Sequence, residues 1–279
     1  MSEDIRITVL VENSVHERGL KAEHGLAWHI QFGSRQVLFD TGQTDLLVEN
    51  APLLGISLEQ LDAVVLSHGH DDHTGGLKTA CARSPAAALH LHPAAVEAKF
   101  SANAQGIPRF IGMSTDAKAA VSTRATIVWS CGLTEVVPVL FATGEIPRQT
   151  DFEDVGGQFY LDERCQKPDP LVDDQALFFE SQGGLVVVLG CAHAGVVNTL
   201  LHIEQLTGGK RIQAVLGGMH LLNASPARLA ATVVALRQRE ISLLVPSHCT
   251  GWAAVARLWE CFPGRCAATG VGRRFAFDR

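Results

Sequence analysis

What the chain lacks narrows its class. No run of Lys and Arg occurs anywhere, and 29 acidic residues outnumber 23 basic ones for a formal charge of −6. A nucleic-acid binder normally carries a basic stripe, so no nucleic-acid partner is expected. No apolar run approaches the roughly 20 residues of a membrane helix. The start, "MSEDIRITVL", has no basic region followed by an apolar one, so it does not read as a secretory signal. The expectation is a soluble, cytoplasmic protein with no membrane partner. The seven cysteines are odd in number, irregularly spaced and without a CxxC, which argues against a disulfide scaffold. Most are expected to be buried thiols that pack as small apolar side chains. There is no short-period repeat and no low-complexity linker.

What is present is a globular composition, with 47% hydrophobic and 19% charged residues in 279. That length can bury a substantial core. Short β-branched runs of strand length lie at 5–11, 36–40, 62–67, 87–92, 184–190, 212–218 and 241–247. Helical patterns lie between or beyond them at roughly 93–100, 195–206, 226–239 and 251–261. The third of these has a clear start, with Ser225 as N-cap and Pro226 at the first helical position. Alternating strands and helices predict an α/β architecture. The stretch at about 100–178 is rich in Gly, Pro and acidic residues and reads as a loop-rich insert or lid within one domain over 1–279.

The chemistry sits where strands end. "VLFD" ends in Asp40, "VVLS" runs into His68, "VVVLGCAH" into His193, "AVLGGMH" into His220 and "LLVPSH" into His248. Sites in open α/β sheets form at the carboxyl ends of strands, so donors delivered there can converge. The densest element is "SHGHDDHTGG", with His68, His70, Asp72 and His73. His68 and His70 are two apart and can point the same way in extended backbone, whereas Asp72 and His73 are adjacent and diverge. That spacing suits two metals. His68, His70 and His193 could hold one, and Asp72, His73 and His248 the other. Two ions about 3.5–4 Å apart can share a hydroxide and clamp the attacking and leaving oxygens. A polar surface loop is the alternative for the cluster, and packing or surface roles are the alternatives for His193 and His248. Asp71 is the member of the cluster not assigned to a metal.

These elements resemble the signature of the metallo-β-lactamase superfamily. "SHGHDDHTGG" carries the likeness, with "LFDTG", "GCAHAG" and "PSHCTG" in the same order, over about 5–250. The resemblance implies a four-layer αβ/βα sandwich with metals in a groove at one edge. It implies the same two ligand sets and places Asp40 behind them, orienting a ligand histidine. "TGEIPR", "DDQAL", "GCAHAGVVNTL", "GGMHL" and "SHCTG" further resemble a branch of 7,8-dihydropterin-6-methyl-4-(β-D-ribofuranosyl)-aminobenzene-5′-phosphate synthase-like proteins, which implies pterin methyl–amine coupling. One departure stands out. The superfamily usually bridges its metals with an Asp in a "GD" element, and here that element reads "VLGGMHL", with Gly217 and Gly218. His220 could substitute, water or substrate could bridge, or the second metal could bind weakly.

Further candidates each admit a structural role as well. Asp173 and Asp174 precede an apolar run, and Asp174 is either part of a solvated turn or a second-sphere or substrate contact. Glu145 and Arg148 either line a pocket for an anionic substrate or form a local ion pair in a turn. His90 and His92 share one strand face, Asn13 follows the first strand, and Cys249 neighbours His248 as a buried thiol or a thiolate ligand. The leading expectation is a hydrolase with two zinc ions, iron or manganese being alternatives. Hydroxide generated on the metals attacks an ester or phosphoester of a small molecule, with Asp72 and His220 as catalytic residues. A pterin-linked transferase and a metal- or ligand-binding protein without turnover are the alternatives.

Overall fold

The computed structural model describes residues 5–103 and 105–279. Two mixed sheets carry most of the strands. The first has seven, in the spatial order Arg274–Phe277, Ile5–Val11, Ala27–Phe32, Arg35–Phe39, Ala63–Val65, Ala88–Leu91 and Ile127–Trp129. The second has six, in the order Leu243–Ser247, Ile212–Gly218, Gly184–Leu189, Ala176–Ser181, Leu140–Ala142 and Thr134–Val137. A small third sheet joins Phe159–Tyr160, Phe100–Ala102 and Pro108–Phe110.

The apolar residues sort into three layers of contact, and these define the architecture. Ile7, Trp28, Ile30, Phe39 and Val65 of the first sheet pack with Leu177, Phe179, Val186, Val188 and Leu216 of the second. On the outer face of the first sheet, Leu10, Leu38, Val64 and Leu89 pack with Leu47, Leu77 and Ala117 of three helices. On the outer face of the second, Val187, Val215 and Leu244 pack with Leu200, Val233 and Leu258 of three more. Helix, sheet, sheet and helix thus stack as an αβ/βα sandwich. Alternate residues of each strand feed opposite layers, as strand geometry requires.

The strands that carry the histidines run parallel within their sheets. Arg35–Phe39 pairs parallel to Ala63–Val65, and Gly184–Leu189, Ile212–Gly218 and Leu243–Ser247 form a parallel set. Their carboxyl ends therefore emerge together.

Local expectations fared unevenly. The helices at Val196–Leu206, Pro226–Arg237 and Trp252–Cys261 lie within two residues of expectation at every end, and Ser225 Oγ accepts from Arg228 N at 3.1 Å as an N-cap. The helix expected at 93–100 is a single 3-10 turn, Pro93–Val96, after which the chain becomes extended at Phe100–Ala102. Lys99 explains the break: its buried ammonium is held 2.9 Å from both Asp169 and Asp173. Strand Ala27–Phe32 was not anticipated, although "AWHIQF" alternates apolar and polar residues with period two. Within 100–178, Ile127–Trp129 joins the first sheet and the hairpin Thr134–Ala142 the second, leaving irregular backbone mainly at 143–158 and 161–175. All seven cysteines are free.

Candidate metal centre

The strand ends deliver their side chains by left-handed backbone. Asp40, Ala192, His220 and His248 have φ of 60°, 55°, 45° and 49°. Non-glycine residues seldom adopt this region, and such strain is concentrated at functional sites. Each turn redirects the chain directly after a strand and swings the following side chains toward one groove.

Two groups of donors meet in that groove. His68, His70 and His193 place one ring nitrogen each within 4.8 Å of one another. His68 Nε2 lies 2.9 Å from His70 Nδ1. In the second group, Asp72 Oδ2 is 3.2 Å from His248 Nε2 and 3.8 Å from His73 Nε2, and the two histidine nitrogens are 3.3 Å apart. Donors around a four-coordinate zinc at about 2.0–2.1 Å stand roughly 3.3–3.4 Å apart, close to the 3.2 and 3.3 Å spacings that His248 Nε2 makes with Asp72 Oδ2 and His73 Nε2. The Nε2 atoms of His70 and His193 are buried without a hydrogen-bond partner. Buried polar atoms are rarely left so. An ion set among His68 Nε2, His70 Nδ1 and His193 Nε2 would satisfy the last of these, so the residues present fit a metal.

Protonation agrees. Burial holds His68, His70 and His193 well below the ordinary histidine range, keeping their rings neutral and able to bind a metal. Burial would raise the Asp72 carboxyl, but His73, His24 and His248 outweigh it and hold the group well below the usual range. His73 is opposed by burial yet raised to about 9 by Asp40 and Asp72. A metal must therefore displace a proton from His73 at any pH below about 9. Zinc affinity at this triad should fall at least about tenfold for each pH unit below that value. Calorimetric zinc titrations across a pH series measure this, and a flat affinity between about pH 6 and pH 8 would contradict it.

Several side chains fix the ring orientations. Asp40, fully buried, accepts from His73 Nδ1 at 2.7 Å and from Ser67 N and Oγ at 2.7 Å each. Ser67 Oγ in turn lies 2.8 Å from His68 Nδ1, so one carboxylate steadies both donor groups. His193 Nδ1 lies 3.0 Å from the carbonyl of Val155. His248 Nδ1 lies 2.9 Å from Asn13 Oδ1, and Glu12 Oε1 accepts from His248 N at 2.9 Å. Asp174 is buried rather than set in a solvated turn. Its Oδ2 accepts from Ala194 N at 2.7 Å, and burial raises its carboxyl to about 7. It braces the loop that carries His193.

Other candidates fall elsewhere. Arg148 does not face the groove: its guanidinium donates to the carbonyls of His193 and Pro170 at 2.9 Å each and props the backbone. Glu145 is half-exposed and pairs with His92 Nε2 at 3.0 Å. The two carbonyl bonds direct the Arg148 guanidinium toward the backbone that carries His193. The arginine that lines the groove is Arg109, beside Asp71 at 3.5 Å. His90 is buried on its strand outside the cavity. His220 does reach the cavity, with its ring 4.1 Å from that of His193 and its Nδ1 unpartnered.

Three participants went unread in the sequence. His24 Nε2 lies 3.2 Å from Asp72 Oδ2 and comes from a loop with no strand-end pattern. Phe159 covers the first group, with its ring 5.1 Å from those of both His70 and His193. Cys191 places Sγ 3.1 Å from His73 Nε2, and its two-residue spacing from His193 was the available signal. Burial pushes the Cys191 thiol well up. Burial also opposes ionisation of Cys249, but the Cys191 thiol and His220 hold it well down. The cavity above the donors measures about 460 Å³, the size of a small-molecule site.

A four-layer sandwich with this His- and Asp-rich groove at the strand ends defines a class, and the family model agrees: residues 20–248 match the metallo-beta-lactamase superfamily. The chain belongs to that superfamily. It is 28% identical over 278 residues to the 7,8-dihydropterin-6-methyl-4-(beta-D-ribofuranosyl)-aminobenzene-5′-phosphate synthase of Methanocaldococcus jannaschii, covering 93% of this chain and 92% of that one. Among solved structures, Tm1679, described as a metal-dependent hydrolase of the beta-lactamase superfamily, superposes with a TM-score of 0.84 at 31% identity, covering 99% of this chain and all of that one. Zn²⁺-bound PqqB from Methylobacterium extorquens shares the fold at a TM-score of 0.55 and 15% identity, covering 97% of this chain and 99% of that one.

Proposed function

We propose that the protein is a metal-dependent hydrolase with a dinuclear site, zinc being the metal best suited to its donors. His68, His70 and His193 would hold one ion, and Asp72, His73 and His248 the other. The observation that carries this reading is the pair of adjoining triads at the floor of one open cavity. Divalent ions there would polarise a substrate oxygen and bring the pKa of water toward about 7.

The chain's own residues do the rest. Asp40, Asn13 and the Val155 carbonyl fix the rings before any ion arrives, which lowers the cost of organising the site. Asp72 Oδ2 is placed to accept a hydrogen bond from the attacking water. His220, whose ring lines the cavity, would donate to the leaving oxygen of a phosphoester or ester. Phe159 excludes water from the first triad. Arg109 at the rim suits an anionic small molecule.

The similarity to the methanogen synthase supports a second reading, in which the same site couples a dihydropterin methyl group to an arylamine. The exposed Trp252 on the cavity wall would then stack a flat heterocycle. Neither reading requires a nucleic-acid or membrane partner, and no helix among the described residues is long and apolar enough to cross a membrane.

Protein purified without chelator should hold close to two metals per chain by elemental analysis. It should hydrolyse phosphodiester or ester panels in ¹⁸O water with label entering the product. Removal of the metals should abolish turnover and zinc should restore it. A content near one that zinc does not raise contradicts the dinuclear site. Label-free coupling of a pterin and an arylamine would favour the transferase.

A further inference from the structure

Gly218 stands where a bridging carboxylate would be expected, and the structure leaves no space for one. A Cβ built there would lie 2.5 Å from the carbonyl oxygen of Gly190 and 2.6 Å from Cys249 Sγ. The neighbouring volume belongs to two buried thiols, Cys191 and Cys249, whose sulfurs lie within 4.8 Å of each other.

The position of Cys191 is central. Its Sγ shares one 4.8 Å donor group with His68 and His73, a second with His193 and His220, and a third with His248 and Cys249. It therefore reaches nitrogen donors of both triads from one point, and its approach to His73 Nε2 is 3.1 Å. The unpartnered, buried Nε2 atom of His193 independently marks this groove as one that awaits a ligand. Cys249 Sγ lies 3.5 Å from the Cys191 carbonyl oxygen and packs against the turn that presents the sulfur.

We infer that Cys191 supplies a thiolate that bridges the two metals, taking the role for which the Gly218 strand end provides no carboxylate. The inference rests on the dinuclear reading above. The chemistry is consistent: zinc–thiolate bonds of about 2.3 Å allow one sulfur to span ions about 3.5–4 Å apart at an angle of roughly 100–120°. On binding, the thiol proton leaves to solvent and the sulfur lone pairs form the two bonds. A sulfur bridge selects zinc, iron or cobalt over manganese or magnesium, which prefer oxygen. Cys249 is a positioning residue in this arrangement.

The test uses the full chain loaded with zinc, and separately with cobalt(II). X-ray absorption at the zinc edge should show a sulfur shell at about 2.3 Å averaging about one sulfur per zinc, whereas a terminal thiolate would average about half and overturn the bridge. The cobalt form should show a sulfur-to-cobalt charge-transfer band in the near ultraviolet. Both signatures should disappear in Cys191→Ser and persist in Cys249→Ser. Two metals per chain with only nitrogen and oxygen neighbours overturns the bridge and leaves the dinuclear site standing. A content fixed near one overturns the dinuclear site, and the bridge with it. Signatures lost in Cys249→Ser but kept in Cys191→Ser overturn the assignment to Cys191. If Cys191→Ser does not fold, the sulfur shell of the unaltered protein decides: its absence refutes the bridge, and its persistence in folded Cys249→Ser assigns it to Cys191.

Discussion

Asp72→Ala should hold close to one metal per chain where the unaltered protein holds two, and its kcat/KM should fall by roughly 10²–10⁴. The carboxylate is the sole oxygen donor of the second triad and is also the group that draws His24 and His248 toward it, at 3.2 Å each. Removing it takes away a ligand and leaves His73 and His248 facing each other at 3.3 Å without a negative charge between them. The first triad keeps all three nitrogens, and the Asp40–Ser67–His68 chain that steadies it is untouched. Elemental analysis of the variant beside the unaltered protein measures this. Equal loss from both sites would undo the division into two triads. Asp72 is only 13% exposed in its side chain, so circular dichroism should accompany the metal counts to show that the fold persists.

Gly218→Asp, the substitution that would write the usual acidic residue into this sequence, should destabilise the protein by about 3 kcal/mol or more. It should yield less soluble protein and no gain in metal affinity. The obstacle is backbone: the Gly190 carbonyl oxygen would stand 2.5 Å from the new Cβ, and Gly190 belongs to the turn that carries Cys191 and His193. A flexible side chain could move aside, but this carbonyl accepts from Gly218 N at 2.9 Å and is held in place. Thermal unfolding of the metal-free proteins gives the comparison. A variant as stable as the parent, with tighter second-site zinc, would show that the strand end can deliver a carboxylate after all. Gly217→Ala should fare no better, since φ is +124° there and its Cβ would lie 2.3 Å from the Leu189 carbonyl oxygen.

The legible part of the site was the part written locally. "SHGHDDHTGG" shows its donors within six residues, and each other donor follows a β-branched run that reads as a strand. Parallel strands emerge at one edge, so a list of strand ends was already close to a list of site residues. Asp40 behind His73 also came through, carried by family likeness. His24 did not, because it reaches Asp72 across a loop contact with no periodic signature. Composition says that an arginine suits an anion but not where Arg148 points, since direction is set by neighbours, here the His193 and Pro170 carbonyls behind the site. The helix expected at 93–100 failed for a similar reason: a buried tertiary ion pair at Lys99 outweighed local propensity.

By itself, then, the sequence determined an α/β alternation and a set of His and Asp candidates at strand ends, because side-chain alternation is encoded residue by residue, while the sandwich was implied only by family resemblance. Only the tertiary structure decided how those donors are grouped. Left-handed turns at Asp40, Ala192, His220 and His248 aim the side chains, and the packing of two sheets brings residues more than a hundred positions apart within bonding range. That packing set the Cys191 thiol within 4.8 Å of several of those nitrogens and closed the space at Gly218, and no spacing along a single chain specifies which atoms a fold brings to one point.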